Sequence, residues 1–160
     1  ASAASQVVKP PVTVPALNLN AYGGRWFAIY FNEVSLNDIG GQSFCVTADY
    51  TLNADGTIGV YNSGATGSVG SGVVSIEGLA QQVNLPDEPG QLTVTFFGRP
   101  GDYWIVQLGP IVNGLYQYAI ITDPDLEGIF VIARDPAVFR VEYQEQVLMD
   151  LATKYGFQES

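Results

Sequence analysis

The stretch Phe44-Cys45-Val46-Thr47-Ala48-Asp49-Tyr50-Thr51-Leu52 alternates without a break, with Phe44, Val46, Ala48, Tyr50 and Leu52 at even positions and Cys45, Thr47, Asp49 and Thr51 at odd ones. Successive side chains of a strand point to opposite faces, so this period of two predicts a half-buried strand with its even face inward. Asn53-Ala54-Asp55-Gly56 supplies a hairpin turn, and Ile58, Val60 and Asn62 carry the inward face onto the partner strand. A slip of one residue would turn the whole apolar set to water, so the register is pinned.

Strand-length runs continue on both sides of this hairpin: Arg25–Phe31 before it, then Val73–Val83, Gln91–Phe97, Asp102–Leu108, Leu115–Thr122 and Gly128–Ala133. They are punctuated by Pro86-Asp87-Glu88-Pro89-Gly90, Gly98-Arg99-Pro100-Gly101, Gly109-Pro110 and Asp123-Pro124-Asp125, turn chemistry that agrees with a total of 18 glycines and 9 prolines. With the hairpin this makes eight strands on short connections. The predicted fold is all-β, an eight-stranded up-and-down antiparallel barrel, which abolishes sheet edges and can hold one small ligand.

In the first strand Trp26, Ala28 and Tyr30 share one face and Phe27, Ile29 and Phe31 the other, so both faces are apolar and the outer one needs a cover. The cover expected is a single long C-terminal helix from Asp135-Pro136 onward, where Val138, Val141, Tyr143, Val147, Leu148, Leu151 and Tyr155 recur at helical spacing and Gly156 gives a stop. Residues 1–16 contain Pro10, Pro11 and Pro15 and read as an extended segment, with the barrel domain and its helix over 17–160.

Six basic against sixteen acidic residues give a formal charge of −10, which repels nucleic-acid phosphates and anionic membranes. There is no histidine and one cysteine, Cys45, which removes the usual zinc constellations, histidine-based triads and an intramolecular disulfide. The carboxylates are scattered through turns and read as solvated surface, with no metal site. No apolar run reaches the length of a membrane span. The opening Ala-Ser-Ala-Ala-Ser is like what remains after a signal peptide is cut, which points to a secreted or exported protein, extracellular or periplasmic.

Three motifs in this order and spacing resemble those of the lipocalins: Gly24-Arg25-Trp26-Phe27, Tyr118-Ala119-Ile120-Ile121-Thr122-Asp123 and Ile132-Ala133-Arg134-Asp135-Pro136. The likeness runs from Leu17 to about Phe157, and Cys45 to Leu52, Val94-Thr95-Phe96-Phe97-Gly98 and Tyr103-Trp104-Ile105 bring it nearest the apolipoprotein D and bacterial outer-membrane branch. The resemblance implies that Arg134 lies across Trp26 and closes the narrow end of the barrel, a cation–π contact. It also implies a lipophilic pocket, with matching inward positions at Tyr50, Asn62, Tyr103, Phe130 and Ile132.

Strand parity independently groups Tyr50 with Phe44 and Asn62 with Val60. Phe96 and Ile105 join the candidate lining from neighbouring strands, and Tyr30 and Tyr118 fall on faces that can be drawn inward. Small residues at Ala28, Ala48, Gly59 and Ala119 would leave room, and the Val34–Gly41 and Ser63–Gly72 loops would rim the mouth. In the apolipoprotein D branch the cysteine corresponding to Cys45 pairs with one in a tail after the helix; here no second cysteine occurs, and the odd parity of Cys45 turns it away from the cavity.

The expected function is therefore binding, transport or storage of a small hydrophobic molecule (lipid, fatty acid, retinoid, carotenoid or tetrapyrrole), with no required cofactor and no catalysis, by a monomer or weak homo-oligomer. Two other readings stay open at this point. One is a lipocalin-type isomerase using Cys45 or a pocket tyrosine; the other is a chromoprotein whose bound pigment is the functional group.

Overall fold

The computed structural model describes residues 10–32, 44–65 and 72–157, with the side chains of Phe44 and Cys45 outside the described set. A short helix α1 (Leu19–Tyr22) leads into β1 (Gly24–Phe31), β2 (Phe44–Leu52), β3 (Ile58–Ala65), β4 (Val73–Gln82), β5 (Gln91–Phe96) and β6 (Arg99–Leu108). A small hairpin, β7 (Ile111–Val112) and β8 (Leu115–Tyr116), precedes β9 (Tyr118–Thr122) and β10 (Phe130–Ala133), and two helices follow, α2 (Pro136–Glu142) and α3 (Gln144–Lys154). Eight of the strands close in the order β1-β10-β9-β6-β5-β4-β3-β2, every neighbouring pair antiparallel.

The central hairpin has the register its alternation demands, with Leu52 opposite Ile58, Tyr50 opposite Val60 and Ala48 opposite Asn62. Its turn is fastened by the Asn53 amide on the Thr57 carbonyl (2.8 Å), and Gly56 takes a φ of 88° that favours glycine. Four details depart from the sequence reading. Gly98-Arg99-Pro100-Gly101 is not all turn: Phe97 and Gly98 alone make it, with φ of 52° and 75°, and Arg99 to Gly101 are strand. The seventh strand is split, because Asn113-Gly114, at φ of 52° and 79°, folds β7 onto β8 outside the barrel.

The loop read over Ser63–Gly72 begins later than expected, since Ser63 to Ala65 pair with Val73 to Ser75. Residues 33–43 and 66–71, which hold most of the two expected rim loops, lie outside the described residues. The long C-terminal helix is two helices that break at Tyr143 (φ −127°, ψ −22°). Phe139 shares the i, i+4 row of Tyr143, Val147 and Leu151 and is buried, while Val138 and Val141 lie off that row and face water. Asp135 caps α2 by accepting from the amides of Ala137 and Val138, with Pro136 at the first helical position.

The helices cover β1, β6, β9 and β10 from outside, where Phe139, Val147 and Leu151 pack on Val106, Ile120 and Val131 together with Ile29 and Tyr30. A polar knot around the buried Asp150 lies at the edge of this layer. The Gln107 side-chain amide donates to an Asp150 oxygen (2.9 Å) and to the Tyr118 hydroxyl (3.1 Å), while Gln146 donates to the other Asp150 oxygen (2.9 Å) and Lys154 stands 3.6 Å from it. The N-terminal segment crosses the barrel at Gly90, where the Val14 amide donates to the Ile105 carbonyl (2.9 Å) and a Cβ on Gly90 would stand 2.9 Å from that carbonyl oxygen.

At the narrow end the Arg134 guanidinium carbon sits 3.8 Å from the centroid of the Trp26 ring. Its nitrogens donate to the carbonyls of Tyr116 (3.1 Å), Arg25 (3.0 Å) and Ala21 (2.8 Å). Trp26 is fully buried and donates its indole N–H to the Tyr22 carbonyl (2.8 Å).

Replacing Arg134 by Ala is expected to cost about 2–4 kcal/mol, since charged hydrogen bonds and a partly desolvated cation–π contact go together. Arg134→Lys should recover less than half, because an ammonium, though it has three donors, lacks the planar fork that reaches three separated carbonyls while lying on the indole face; urea denaturation would check both, and a loss within about 0.5 kcal/mol for Arg134→Ala would refute the closing role. A second expectation concerns acid. Burial raises the Asp150 carboxyl, but the hydrogen bonds from Gln107 and Gln146 and the Lys154 charge outweigh it and hold the group below its ordinary value. The stability it contributes is present above the unfolded carboxyl value of about 4 and is lost as pH falls through the lower folded value. Urea midpoints measured across that window should fall less steeply for Asp150→Asn than for the unaltered chain.

Candidate functional site

The open end of the barrel leads into a cavity of about 550 Å³. Its walls are set by the pairing just described, since inward positions of adjacent strands lie level: Tyr50 with Val60, Asn62 with Ile76, and Val94 with Gly101. Phe96 lies flat over Gly78, where an added Cβ would stand 2.6 Å from the ring, so the glycine is what admits the aromatic wall. Phe130, opposite Ile121, completes the far side.

The floor is made of tyrosine. Tyr103 hydrogen-bonds through its hydroxyl to the hydroxyls of both Tyr22 and Tyr50, the latter at 2.8 Å, and Tyr22 stacks on Tyr50 with ring centroids 5.5 Å apart. A void of about 10 Å³ remains beneath them, against Ile58, Ala80 and Leu92. Burial pushes all three phenols up, Tyr50 to about 12 and Tyr22 and Tyr103 well above the ordinary value. At neutral pH they are therefore hydrogen-bond donors and not phenolates.

The mouth carries Arg99 on one side and Asp102, Asp123, Asp125 and Glu127 around it. The Asp123 carboxylate is engaged with its own loop, accepting from the amides of Asp125 (2.9 Å), Glu127 (3.1 Å) and Gly128 (2.6 Å). The strand ends Phe31, Phe44, Ala65 and Val73 also lie at this end of the barrel.

Of the candidates taken from the sequence, Tyr50, Val60, Asn62, Phe96, Tyr103 and Phe130 are brought together on this cavity. Ile105 and Ile132 also face inward, but in the solid half of the barrel around Trp26 and Ala119, where neither has exposed surface. Tyr30 and Tyr118 are corrections. A bulge between Ala28 and Tyr30 shifts the register against β10, so Tyr30 turns outward and packs edge-on to Phe139 at 6.3 Å. Tyr118 likewise lies under the helices, with its ring 6.2 Å from Phe139 and 5.3 Å from Tyr143.

The side chain of Phe44 falls outside the described residues, as does that of Cys45. Gly59 is opposite Thr51 and Leu79 on the outer face, so the room inside comes from Gly78 and Gly101 instead. Ile76, Val94, Ile121 and Thr122 were missed as lining residues. Parity with Asn62 was enough to find Ile76, once β4 was set in register.

A tyrosine that keeps its proton more tightly folded than unfolded contributes stability in full below the unfolded value of about 10, and that contribution is lost as pH rises toward the folded value. Stability measured by urea denaturation should therefore decline between pH 10 and 12, by up to about 1.4 kcal/mol per pH unit for each such phenol. Tyr50→Phe should flatten the decline, and tyrosinate absorbance should show the floor ionising only with unfolding.

A family profile described as a lipocalin-like domain matches residues 17–160. Temperature-induced lipocalin-1 of Arabidopsis thaliana is 30% identical over 153 residues, covering 90% of this chain and 76% of the plant protein. The outer membrane lipoprotein Blc of Vibrio cholerae is 34% identical over 134 residues, covering 83% of this chain and 72% of its own length. Among solved structures, the cockroach allergen Per a 4 superposes with a TM-score of 0.61 at 20% identity over 94% of this chain and 87% of that one. Lobster apocrustacyanin A1 gives 0.57 at 17% over 97% and 93%. The barrel, its external helices and these matches together make the chain a member of the lipocalin family, which is known for binding small hydrophobic molecules.

Proposed function

We propose that this protein binds a small hydrophobic molecule in its barrel and carries or stores it without chemical change, and that Tyr50, Val60, Asn62, Phe96, Tyr103 and Phe130 form the contact surface. The observation that carries the reading is the cavity of about 550 Å³, whose inner walls are mainly apolar and tyrosyl with Asn62 and Thr122 among them, while the other half of the same barrel is closely packed. A drug-sized apolar molecule fits a volume of this order. Removing its surface from water at roughly 25 cal/mol per Å² gives micromolar affinity or better when the walls are already formed. The protonated phenols of the floor suit recognition more than acid–base work, which favours a carrier over an isomerase.

Its place is the cell envelope or the exterior. Support comes from the bacterial relatives, which are outer membrane lipoproteins.

Nile red, a neutral fluorescent probe, should bind at one site per chain with micromolar affinity or better. Val60→Trp, which fills the cavity from one wall, should weaken it by at least about tenfold, roughly the loss of one well-buried apolar contact, with the far-ultraviolet dichroism unchanged. Binding that is multiple, or indifferent to Val60→Trp in a folded variant, would refute the internal site.

A further inference from the structure

Three hydroxyl protons stand on the cavity floor, but the tyrosines make two hydrogen bonds among themselves, Tyr103 with Tyr22 and Tyr103 with Tyr50. Each bond consumes one proton, so one of the three has no acceptor among the described residues. Water can satisfy such a proton in an empty barrel, but a purely apolar ligand that displaced the water would leave a buried donor unmade, at a real cost. Tyr22 is fully buried below the floor and does not reach the cavity, whereas Tyr50 and Tyr103 line it. When Tyr22 donates to Tyr103, the spare proton rests on Tyr50 or Tyr103 and faces the cavity.

We propose that this spare hydroxyl is a donor site for the ligand, and that the ligand is an uncharged apolar molecule with an acceptor oxygen, such as a carbonyl, at its leading end, bound oxygen-first. The mouth bears on the charge. Among the described residues Asp102, Asp123, Asp125 and Glu127 line it against the one cation Arg99, so an anionic end must cross a negative rim before it reaches the floor. The floor opposes it again: a carboxylate there would lose its water for one hydrogen bond in apolar surroundings, the same desolvation that keeps the phenols protonated. The inference rests on the carrier reading and adds the class and orientation of the cargo.

Undecan-2-one, undecane and undecanoate offer one chain length with a neutral acceptor, none and a charged one. Titrated at pH 7 by displacement of Nile red, the ketone should bind about fivefold more tightly than the alkane, the worth of one net hydrogen bond, and more tightly than the carboxylate. In the double variant Tyr50→Phe, Tyr103→Phe the ketone-to-alkane ratio should fall to about one or below, because the carbonyl is then buried with no donor. Should that variant not fold, the unaltered protein still decides, because the stretch of a carbon-13-labelled carbonyl should lie below its position in hexane. Equal affinities for ketone and alkane with an unshifted carbonyl would overturn the donor site, and tightest binding of undecanoate would overturn the uncharged class. Failure of Nile red and all three compounds to bind would instead remove the carrier reading itself.

Discussion

The Arg134 guanidinium gathers carbonyls from three separate segments: Ala21 at the end of α1, Arg25 in β1 and Tyr116 in β8. Burial lowers its pKa, yet the group gives up water only to receive three carbonyl acceptors and the face of an indole, which offsets the desolvation. One side chain thereby joins the start of the barrel to its end. A further dependence passes through Trp26, whose N–H holds the Tyr22 carbonyl, and through Tyr22 to the hydroxyl of Tyr103. The floor of the cavity thus hangs from the clasp that shuts the barrel. Weakening the clasp should be felt at the tyrosines before it is felt at the mouth.

The barrel is divided along its axis by what its inward residues can fill. Around Trp26, the closely packed Leu92, Ile105 and Ile132 leave no exposed surface beyond about one per cent. Toward the other end Gly78 and Gly101 replace side chains with space, and Phe96 uses the first of these to lie against the wall instead of crossing the lumen. The helices then cover the outside of one half of the sheet, where both faces of β1 are apolar, so the chain buries its surplus apolar surface without filling the cavity.

Much of this was legible in sequence because it depends on short-range patterns. The alternation from Phe44 to Leu52 and the turn at Asn53 to Gly56 gave β2, β3 and the inward placement of Tyr50 and Asn62, and the three motifs carried the family and the Trp26–Arg134 pair. What was not legible depends on irregularity or depth. Tyr30 was placed inward by a parity that a bulge resets one residue earlier, and Phe139, though on the i, i+4 row of Tyr143, Val147 and Leu151, was overlooked beside the valines Val138 and Val141. Ile105 and Ile132 have the right parity, but parity carries no information on how far along the axis the packed layer reaches. The hairpin at Asn113-Gly114 did have a signal, since that dipeptide favours a two-residue turn, yet the run Leu115–Thr122 looked like one strand.

The acidic mouth also follows from backbone needs, which limits what it can be used for. The loop from Asp123 to Gly128 has to turn between β9 and β10, and the Asp123 carboxylate takes up three amides that the turn would otherwise leave unmade. Thr122 closes the same loop by donating to the Gly128 carbonyl (2.6 Å), and Asn32 at the end of β1 donates to the Glu127 carbonyl (2.7 Å). Asp123 is thus committed to the turn, with little of its carboxylate left to capture a cationic ligand, while its charge still acts at the distance of the mouth. Asp125 and Glu127 extend from a backbone held in this way, so the place of this part of the negative rim is set by the folded loop, while their exposed carboxylates project into water. On the proposal made above, a negative entrance, largely apolar walls and neutral donors at the base would select against charge at both ends of the path, and leave shape and a single oxygen to distinguish one apolar molecule from another.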